Sequence, residues 1–344
     1  MIHTNVRFDK ENLALPAQPS AFTSSLILSC GEPIHDRLFR RFDPRLPYES
    51  ALFVRQGERL AWNGTALESL ARRWRVPVAW LVGGDRLDDD LALHPSWLAV
   101  RLAHARLRAP RWTMAAAHGI VRDTCQPYER FDSAVAAMET AYTRFAVAST
   151  ELEVALTLVG ALALRLGFSP NRVQQSTFSM PRMQMQIRRL LRQSVQGDAA
   201  AAEALEQGRI PDRDEFQSLW AEVLDQQGHR ALDEVDIASP RFFERPEQLL
   251  ASMNNAGGAS SSSAARHRGG IQLPGIGMIL PLRWVSEVSF LRLEFRRRTM
   301  FAFAHMRNEM LQLADRAVAA GALARREAIW EMTIDRVVAL DERI

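Results

Sequence analysis

The chain has 344 residues, of which 47% are hydrophobic and 24% charged, a composition typical of a globular protein. Its 43 basic residues nearly balance its 40 acidic ones, and the net charge of +3 gives no strong field for nucleic acid or an anionic membrane. Lys10 is the only lysine, so lysine-based Schiff-base chemistry would depend on that single residue.

The two cysteines and the apolar segments exclude several further classes. Cys30 and Cys125 form neither a disulfide framework nor a zinc-ligand spacing. The first residues lack the apolar core of a signal peptide. The longest membrane-span candidate, Val154 to Leu166, contains Arg165 and is too short to cross a bilayer. We therefore expect a cytoplasmic protein without membrane or nucleic-acid partners.

The N-terminal third predicts few regular elements. Residues 1–44 are spaced by prolines and predict an irregular segment that wraps over a helical body. Residues 51–62 predict a small β-hairpin that turns at Gln56-Gly57, with apolar residues on both sides. Thr65-Ala66-Leu67-Glu68 has the form of a capping box and predicts a helix that ends near Arg75.

From Pro95 onward the apolar residues recur at helical spacing. The clearest stripe covers Glu129 to Leu166, and Gly167 is placed to end that helix. Three short helices follow, at about 182–196, 198–207 and 212–227.

The C-terminal third predicts a Gly/Ser-rich break and then one long helix. Residues 254–270 are dominated by glycine and serine, which predicts a mobile loop. Leu282 to about Ala320 predicts a long helix, interrupted at Gly321 and followed by a helical piece over 324–340. The whole pattern predicts a single, mainly α-helical domain over residues 1–344, an irregular multi-helix fold with a minor hairpin.

The stretch from Gly228 to Arg241 concentrates the polar chemistry of the chain, because three acids, two arginines and a histidine fall within fourteen residues. It follows an amphipathic helix, and Pro240 excludes a helix interior. We therefore expect an ordered polar loop between helices, the kind of segment that often carries a binding site.

Five residues of this stretch are candidates for binding a substrate or its phosphate: His229, Arg230, Glu234, Asp236 and Arg241. Arginine binds phosphate and carboxylate in a bidentate manner, and a neighbouring acid can orient it. The structural alternative is an ion-pair network that holds the loop and contacts no ligand. For His229 the alternative is a packing or hydrogen-bonding role, because the sequence supplies no orienting partner for a base.

A second group of candidates surrounds Pro181. Phe178, Met180, Met183 and Met185 could line an apolar substrate pocket, since methionine adapts to irregular surfaces. The alternative is ordinary core packing at the start of a helix.

Metal and nucleotide motifs are absent from the sequence pattern. A di-metal helical bundle needs Glu-x-x-His pairs on inward-facing helices, and the only match begins at Glu32 in the N-terminal segment. The paired glycines fit neither the Walker nor the dinucleotide fingerprint. We expect no metal and no cofactor bound by this chain alone.

The order Gly-His-Arg, Glu, Asp with a hydrophobic residue, then Ser-Pro-Arg resembles the helical central region of phosphoenolpyruvate-synthase-like enzymes and rifampin phosphotransferases. Residues 19–28 and 57–63 are similar to the opening of that region, and residues 289–297 and 328–333 to its closing helix and exit. The resemblance implies a place between an ATP-grasp domain and a swivelling phosphohistidine domain, neither of which we recognise in this sequence.

The resemblance therefore implies a substrate-binding subunit of a split phosphotransferase system. Such a subunit would hold a small molecule for phosphoryl transfer from a phosphohistidine on another chain, with ATP and Mg²⁺ bound only by partner proteins. Two alternatives remain open: a freestanding biosynthetic enzyme that uses the same pocket for altered chemistry, and a non-catalytic binder or scaffold.

Overall fold

The structure, a computed structural model, is mainly helical, as the sequence predicts. It describes residues 6–7, 18–40, 43–46, 51–56, 59–74, 110–126, 128, 131–165, 167–169, 172–173, 180–259 and 279–344. Phe178, one of the predicted pocket residues, lies outside the described residues.

The α-helices are named in chain order. They are α1 (Ala21–Ser29), α2 (Gly31–Leu38), α3 (Gly64–Trp74), α4 (Pro110–Thr124), α5 (Phe131–Arg165), α6 (Met180–Ser194), α7 (Ala199–Glu206), α8 (Asp214–Gln227), α9 (Pro246–Ala259), α10 (Ile279–Ala319) and α11 (Ile334–Asp341). A 3-10 helix, Arg326–Glu331, lies between α10 and α11. None of the helices in the described ranges is long and apolar enough to span a membrane.

The predicted hairpin is confirmed as part of a small antiparallel sheet. Strand β2 (Phe53–Gln56) pairs with β3 (Arg59–Trp62), with Phe53 opposite Trp62 and Gln56 opposite Arg59. The short strand β1 (Val6–Arg7) pairs with the other edge of β3, which gives the order β1-β3-β2. The consecutive residues Leu60, Ala61 and Trp62 of β3 are all buried, so both faces of this strand are covered.

The N-terminal segment is more regular than its prolines predict. Residues 21–38 form α1 and α2 instead of an irregular wrap, so this prediction was wrong. Ser20 caps α1, because its hydroxyl accepts a hydrogen bond from the Thr23 amide at 3.2 Å. Pro33 lies in the first turn of α2, where a missing amide hydrogen costs no intrahelical bond.

Helix α3 begins earlier than its apparent capping box indicates. Its first residue is Gly64, and the side-chain oxygen of Asn63 accepts a hydrogen bond from the Ala66 amide at 3.3 Å. Asn63 also donates to the Ala51 carbonyl at 3.0 Å, which joins the start of α3 to the hairpin. The predicted role of Thr65 as the cap is therefore wrong, since Asn is an equally good cap two residues earlier.

The long helices were predicted within a few residues. Helix α5 ends before Gly167, which adopts a φ of +87°, and α10 ends before Gly321 at +72°. Glycine reaches these left-handed angles without steric cost, which explains its use just beyond a helix. The segment after Gly321 forms two pieces, the 3-10 helix and α11, rather than the single piece predicted.

The Gly/Ser break begins later than predicted. Residues 254–259 continue α9, because a helix already anchored by buried Leu249, Leu250 and Met253 gains one hydrogen bond for each residue it adds. The remaining residues of the predicted loop, 260–270, lie outside the described part of the chain.

The chain divides into two compact units. Unit 1 comprises residues 1–161, 233–238 and 294–344, and unit 2 comprises residues 162–232 and 239–293. The expectation of one domain over 1–344 stays a prediction. Each unit has its own apolar core.

In unit 1, aromatic rings connect α5 to α10. Tyr142 stacks on Phe303 with centroids 4.7 Å apart, and Phe145 packs against Phe295 and Phe303 at 5.8 and 5.2 Å. Helix α1 packs against the 3-10 helix and α11, and the Ser25 hydroxyl accepts a hydrogen bond from the Ile334 amide at 3.0 Å.

In unit 2, α6 packs on α8 and α9. The apolar residues between them form one buried cluster: Leu191, Val195, Ala201, Leu205, Phe216, Trp220, Val223, Phe242, Leu249, Leu250 and Met253. Phe242 immediately follows the polar stretch 228–241, so this core anchors the C-terminal end of that stretch.

Candidate functional site

The stretch 228–241 is an ordered loop between α8 and α9, as predicted. Its residues belong to both units: 228–232 and 239–241 to unit 2, and 233–238 to unit 1. All five predicted site residues are buried. His229, Arg230 and Arg241 lie in unit 2, whereas Glu234 and Asp236 lie in unit 1.

Gly228 begins the loop at a point where no side chain fits. A Cβ atom there would lie 2.4 Å from the Leu224 carbonyl oxygen and 3.2 Å from the Cβ of Phe243. The Gly228 amide donates to that same carbonyl at 2.6 Å. The close approach lets the chain leave α8 and return directly beside it.

Backbone hydrogen bonds then hold the two ends of the unit 2 part together. The Phe242 amide donates to the Arg230 carbonyl at 2.7 Å, and the Phe243 amide donates to the Gly228 carbonyl at 2.9 Å. These bonds fix the backbone that carries His229 and Arg230 opposite the backbone that follows Arg241.

The two arginines of the unit 2 part are almost fully enclosed. Arg230 is 2% exposed and Arg241 is 0% exposed. Arg230 donates from Nη1 to the Gln227 side-chain oxygen at 3.3 Å, and the Arg241 amide donates to the Glu244 carboxylate at 3.2 Å. A buried guanidinium is costly unless anionic or carbonyl oxygens surround it, so these side chains have a defined structural or binding purpose.

In unit 1, Asp236 is saturated with hydrogen bonds. One carboxylate oxygen accepts from the Ser20 hydroxyl at 2.8 Å, the Thr23 hydroxyl at 2.7 Å and the Ala238 amide at 3.0 Å. The other accepts from the Ser20 amide at 3.0 Å. The Thr23 hydroxyl in turn accepts from the Ile237 amide at 3.1 Å. This geometry ties the segment to the start of α1.

Glu234 has a charged partner on α10. Its carboxylate is buried and accepts a hydrogen bond from Nε of Arg296. Arg297 and Arg298 instead bind Glu294, so the three consecutive arginines divide between two carboxylates.

Two further residues hold segment 233–238, and the sequence analysis did not identify them. Arg307 on α10 donates to the carbonyls of Ile237 and Ala238 at 3.2 and 2.7 Å, and its guanidinium lies 5.2 Å from the centre of the Trp330 ring. The Tyr142 hydroxyl donates to the Val235 carbonyl. Arg307 had a detectable signal, since it follows Met306 on the apolar face of α10.

The predicted apolar pocket is only partly described. Met183 is half-buried on α6, Met180 begins the same helix, and Phe178 lies outside the described residues. A separate open cleft of about 450 Å³ lies where α6 meets α7, and none of the four candidates around Pro181 lines it. The pocket around Phe178, Met180 and Met183 stays a prediction.

Within the described ranges, no three His, Cys, Asp or Glu side chains are arranged to hold a metal ion. The Glu-x-x-His pair that begins at Glu32 lies on α2, where Glu32 is exposed and His35 is buried. The two side chains therefore do not face one site.

Comparison with known proteins agrees with the resemblance over part of the chain. Residues 175–270 match the family model of the rifampicin phosphotransferase fourth domain. The match includes the whole stretch 228–241 and much of unit 2. No curated protein matches the chain. The chain thus contains a domain of the kind found in rifampicin phosphotransferase-like enzymes.

Proposed function

We propose that this chain binds a small organic molecule and holds it for phosphoryl transfer from a phosphohistidine on another chain. It would act as the substrate-binding subunit of a split system related to rifampicin phosphotransferase. ATP and Mg²⁺ would be bound by the partner proteins, an ATP-grasp chain and a phosphohistidine chain.

One observation carries the proposal. The segment that matches the rifampicin phosphotransferase fourth domain contains Arg230 and Arg241, which are 2% and 0% exposed on an ordered loop. Phosphoryl transfer depends chiefly on positioning the reactants and stabilising the charge on the phosphoryl oxygens. A rigid, planar guanidinium serves both needs, because it binds two oxygens in a fixed geometry.

The test replaces the guanidinium of Arg230 with an apolar side chain of similar length. Rifampicin and its phosphorylated form are the probes, and calorimetry measures the affinity of each. Arg230→Met should reduce the affinity for the phosphorylated compound by about ten- to a hundred-fold, because a hydrogen bond to a charged group contributes about 1.5–3 kcal/mol. The melting temperature should change little.

Arg245→Met is the matched control, since Arg245 is exposed immediately after the loop. It should leave both the affinity and the melting temperature unchanged. A large fall in the melting temperature of Arg230→Met, with no specific loss of the phosphorylated ligand, would contradict the proposed role.

A second candidate function, a non-catalytic scaffold, is favoured by the surroundings of Glu234 and Asp236. Asp236 accepts four hydrogen bonds from protein groups, and Glu234 pairs with Arg296. Carboxylates satisfied in this way have little capacity left for a ligand. We therefore assign Asp236 and Glu234 to holding the loop, and we assign ligand contact to His229, Arg230 and Arg241.

A further inference from the structure

The surface where α4 faces α5 and α10 in unit 1 gathers an excess of positive charge. The exposed His118 and the half-buried Arg298 meet here, with Nη1 of Arg298 donating to Nε2 of His118 at 3.1 Å. His118 and Arg298 lie outside the stretch 228–241 and outside residues 175–270, so this surface is distinct from the residues of the function proposed above.

Arg144 of α5 adds a second guanidinium beside the same turn of α4. A Cβ atom on Gly119 would lie 3.0 Å from Nη1 of Arg144, so the glycine next to His118 leaves room for the guanidinium. Arg144 also pairs with Asp123, one turn further along α4.

The arginines of this surface outnumber its carboxylates. Asp123 binds Arg122 and Arg144, and Glu294 binds Arg297 and Arg298. Each carboxylate therefore neutralises only one of its two arginines. The described ion pairs of this surface thus join four arginines to two carboxylates.

We propose that this surface binds a tetrahedral oxyanion, a sulfate or a phosphate group, between His118 and Arg298, with Arg144 adding to the local positive field. Oxyanion oxygens accept hydrogen bonds from both Nε2 of a protonated histidine and Nη1 of Arg298. In its contact with Arg298, Nε2 of His118 must instead accept a hydrogen bond, which requires that this nitrogen carry no proton. Anion binding and protonation of His118 are therefore coupled.

The facing groups support this coupling. The Arg297 hydrogen bond, opposed by partial burial and aided by Arg298, lowers the pKa of Glu294 to about 2. Burial acts to raise the pKa of Asp123, but hydrogen bonds from Arg122 and Arg144 outweigh it and lower that pKa. Both acids stay ionised between pH 5 and 8.

Sulfate is the primary probe, because it remains a dianion between pH 5 and 8. Histidine ring resonances recorded during a sulfate titration report binding, and His118→Gln assigns the His118 signal among the eight histidines. We expect a saturable shift of that signal. The affinity should be higher at pH 6 than at pH 8, because Nε2 can donate to the anion only when it carries a proton. Chloride at equal ionic strength should produce no saturable shift.

Three variants distinguish specific anion binding from general charge attraction, and calorimetry measures the affinity of each for sulfate. Arg298→Gln should weaken sulfate binding about tenfold or more. Glu294→Gln should strengthen it, because the competing carboxylate is removed, and an unfolded variant cannot produce that gain. Arg316→Gln is the control, since Arg316 is an exposed, paired arginine on the same helix, and it should have no effect.

The ligand source is decided by repeating the titration at pH 8 with inorganic phosphate and with a phosphorylated sugar. Stronger binding of the sugar phosphate indicates a phosphorylated metabolite, and equal binding indicates the free anion; both outcomes support the site. Equal sulfate affinity at pH 6 and pH 8, no gain in Glu294→Gln, or equal losses in Arg298→Gln and Arg316→Gln would overturn the proposal.

Discussion

Asp236 illustrates at the scale of one residue how the loop is held. One of its oxygens accepts three hydrogen bonds and the other accepts one, from the Ser20 amide. An asparagine oxygen can replace the first of these, but its amide group would face the Ser20 amide, donor against donor. The charge and the hydrogen-bond geometry of Asp236 therefore contribute separately to stability, and two substitutions can measure the two contributions.

Asp236→Asn should reduce the free energy of unfolding by about 1.5–3 kcal/mol, and Asp236→Ala by about 3–5 kcal/mol, because the alanine strands every donor. Urea unfolding followed by circular dichroism measures both values. The exposed Asp225→Asn on α8 is the control and should cost less than about 0.5 kcal/mol. Equal, small losses at both positions would show that Asp236 does not hold the loop.

Glu294 predicts a pH dependence of stability. Its hydrogen bond from Arg297, and then that from Arg298, lowers its pKa from the ordinary 4.5 to about 2 in the folded protein. A carboxyl whose folded pKa is lowered stabilises the protein fully above pH 4.5, and this contribution is lost as the pH falls towards 2. Glu294→Gln removes that contribution.

We therefore expect Glu294→Gln to be less stable than wild type by about 1 kcal/mol at pH 7, because the pair is partly exposed and screened. The difference should shrink steadily between pH 4.5 and 3 in urea unfolding experiments. A difference that grows as the pH falls would contradict the assignment of this pair.

At the residue scale, the sequence identified the polar members of the loop but not their partners. Ser20 and Thr23 lie 216 and 213 residues from Asp236 along the chain, and no periodicity links such distant positions. Arg307 was accessible to sequence reasoning, because a charged residue amid Phe303, Met306 and Met310 on a buried helix face requires a buried acceptor. The sequence could not show that its acceptors are two loop carbonyls.

At the scale of elements, the exit of the chain from α8 depends on Gly228. An alanine there would place Cβ 2.4 Å from the Leu224 carbonyl oxygen, which belongs to the helix backbone and cannot rotate away. Gly228→Ala should cost about 1–3 kcal/mol through overpacking.

Ser218→Ala, on the exposed face of the same helix, is the matched control for this substitution and should be neutral or slightly stabilising. Thermal unfolding of the two variants provides the comparison. Equal melting temperatures would mean that the backbone at Gly228 relaxes without cost.

The helices themselves were the most predictable elements, because apolar spacing and terminal glycines are local signals. The stripe over 129–166 became α5, and Gly167 and Gly321 follow α5 and α10 as predicted. The largest errors were at α1 and α2, where a serine cap outweighed the prolines, and at 254–259, where an anchored helix continued into Gly/Ser-rich sequence. The cap of α3 and the single helical piece after Gly321 were also predicted wrongly. Local composition alone does not reveal whether a cap or a buried anchor stabilises a helix.

At the scale of the whole molecule, the single-domain prediction implies that the whole chain unfolds cooperatively. Helices α5 and α10 each contribute residues to both units, so we expect the units to unfold in one transition. Trp220 lies in unit 2, whereas Trp62 and Trp330 lie in unit 1. Variants that retain only Trp220 or only Trp330 should therefore give coincident urea transitions by fluorescence, at the midpoint seen by circular dichroism. Two separated midpoints would establish independent domains.

The central claim, that the chain presents a small molecule for phosphoryl transfer, is tested most directly by reconstitution. An ATP-grasp and phosphohistidine fragment of a rifampicin phosphotransferase, without its own substrate-binding region, is combined with ATP radiolabelled in its phosphates, rifampicin and a panel of hydroxyl-bearing small molecules. We predict that label enters a small molecule only when this chain is present, and much more slowly with Arg230→Met. Label confined to ATP, its breakdown products and the phosphohistidine, with and without the chain, would contradict the account.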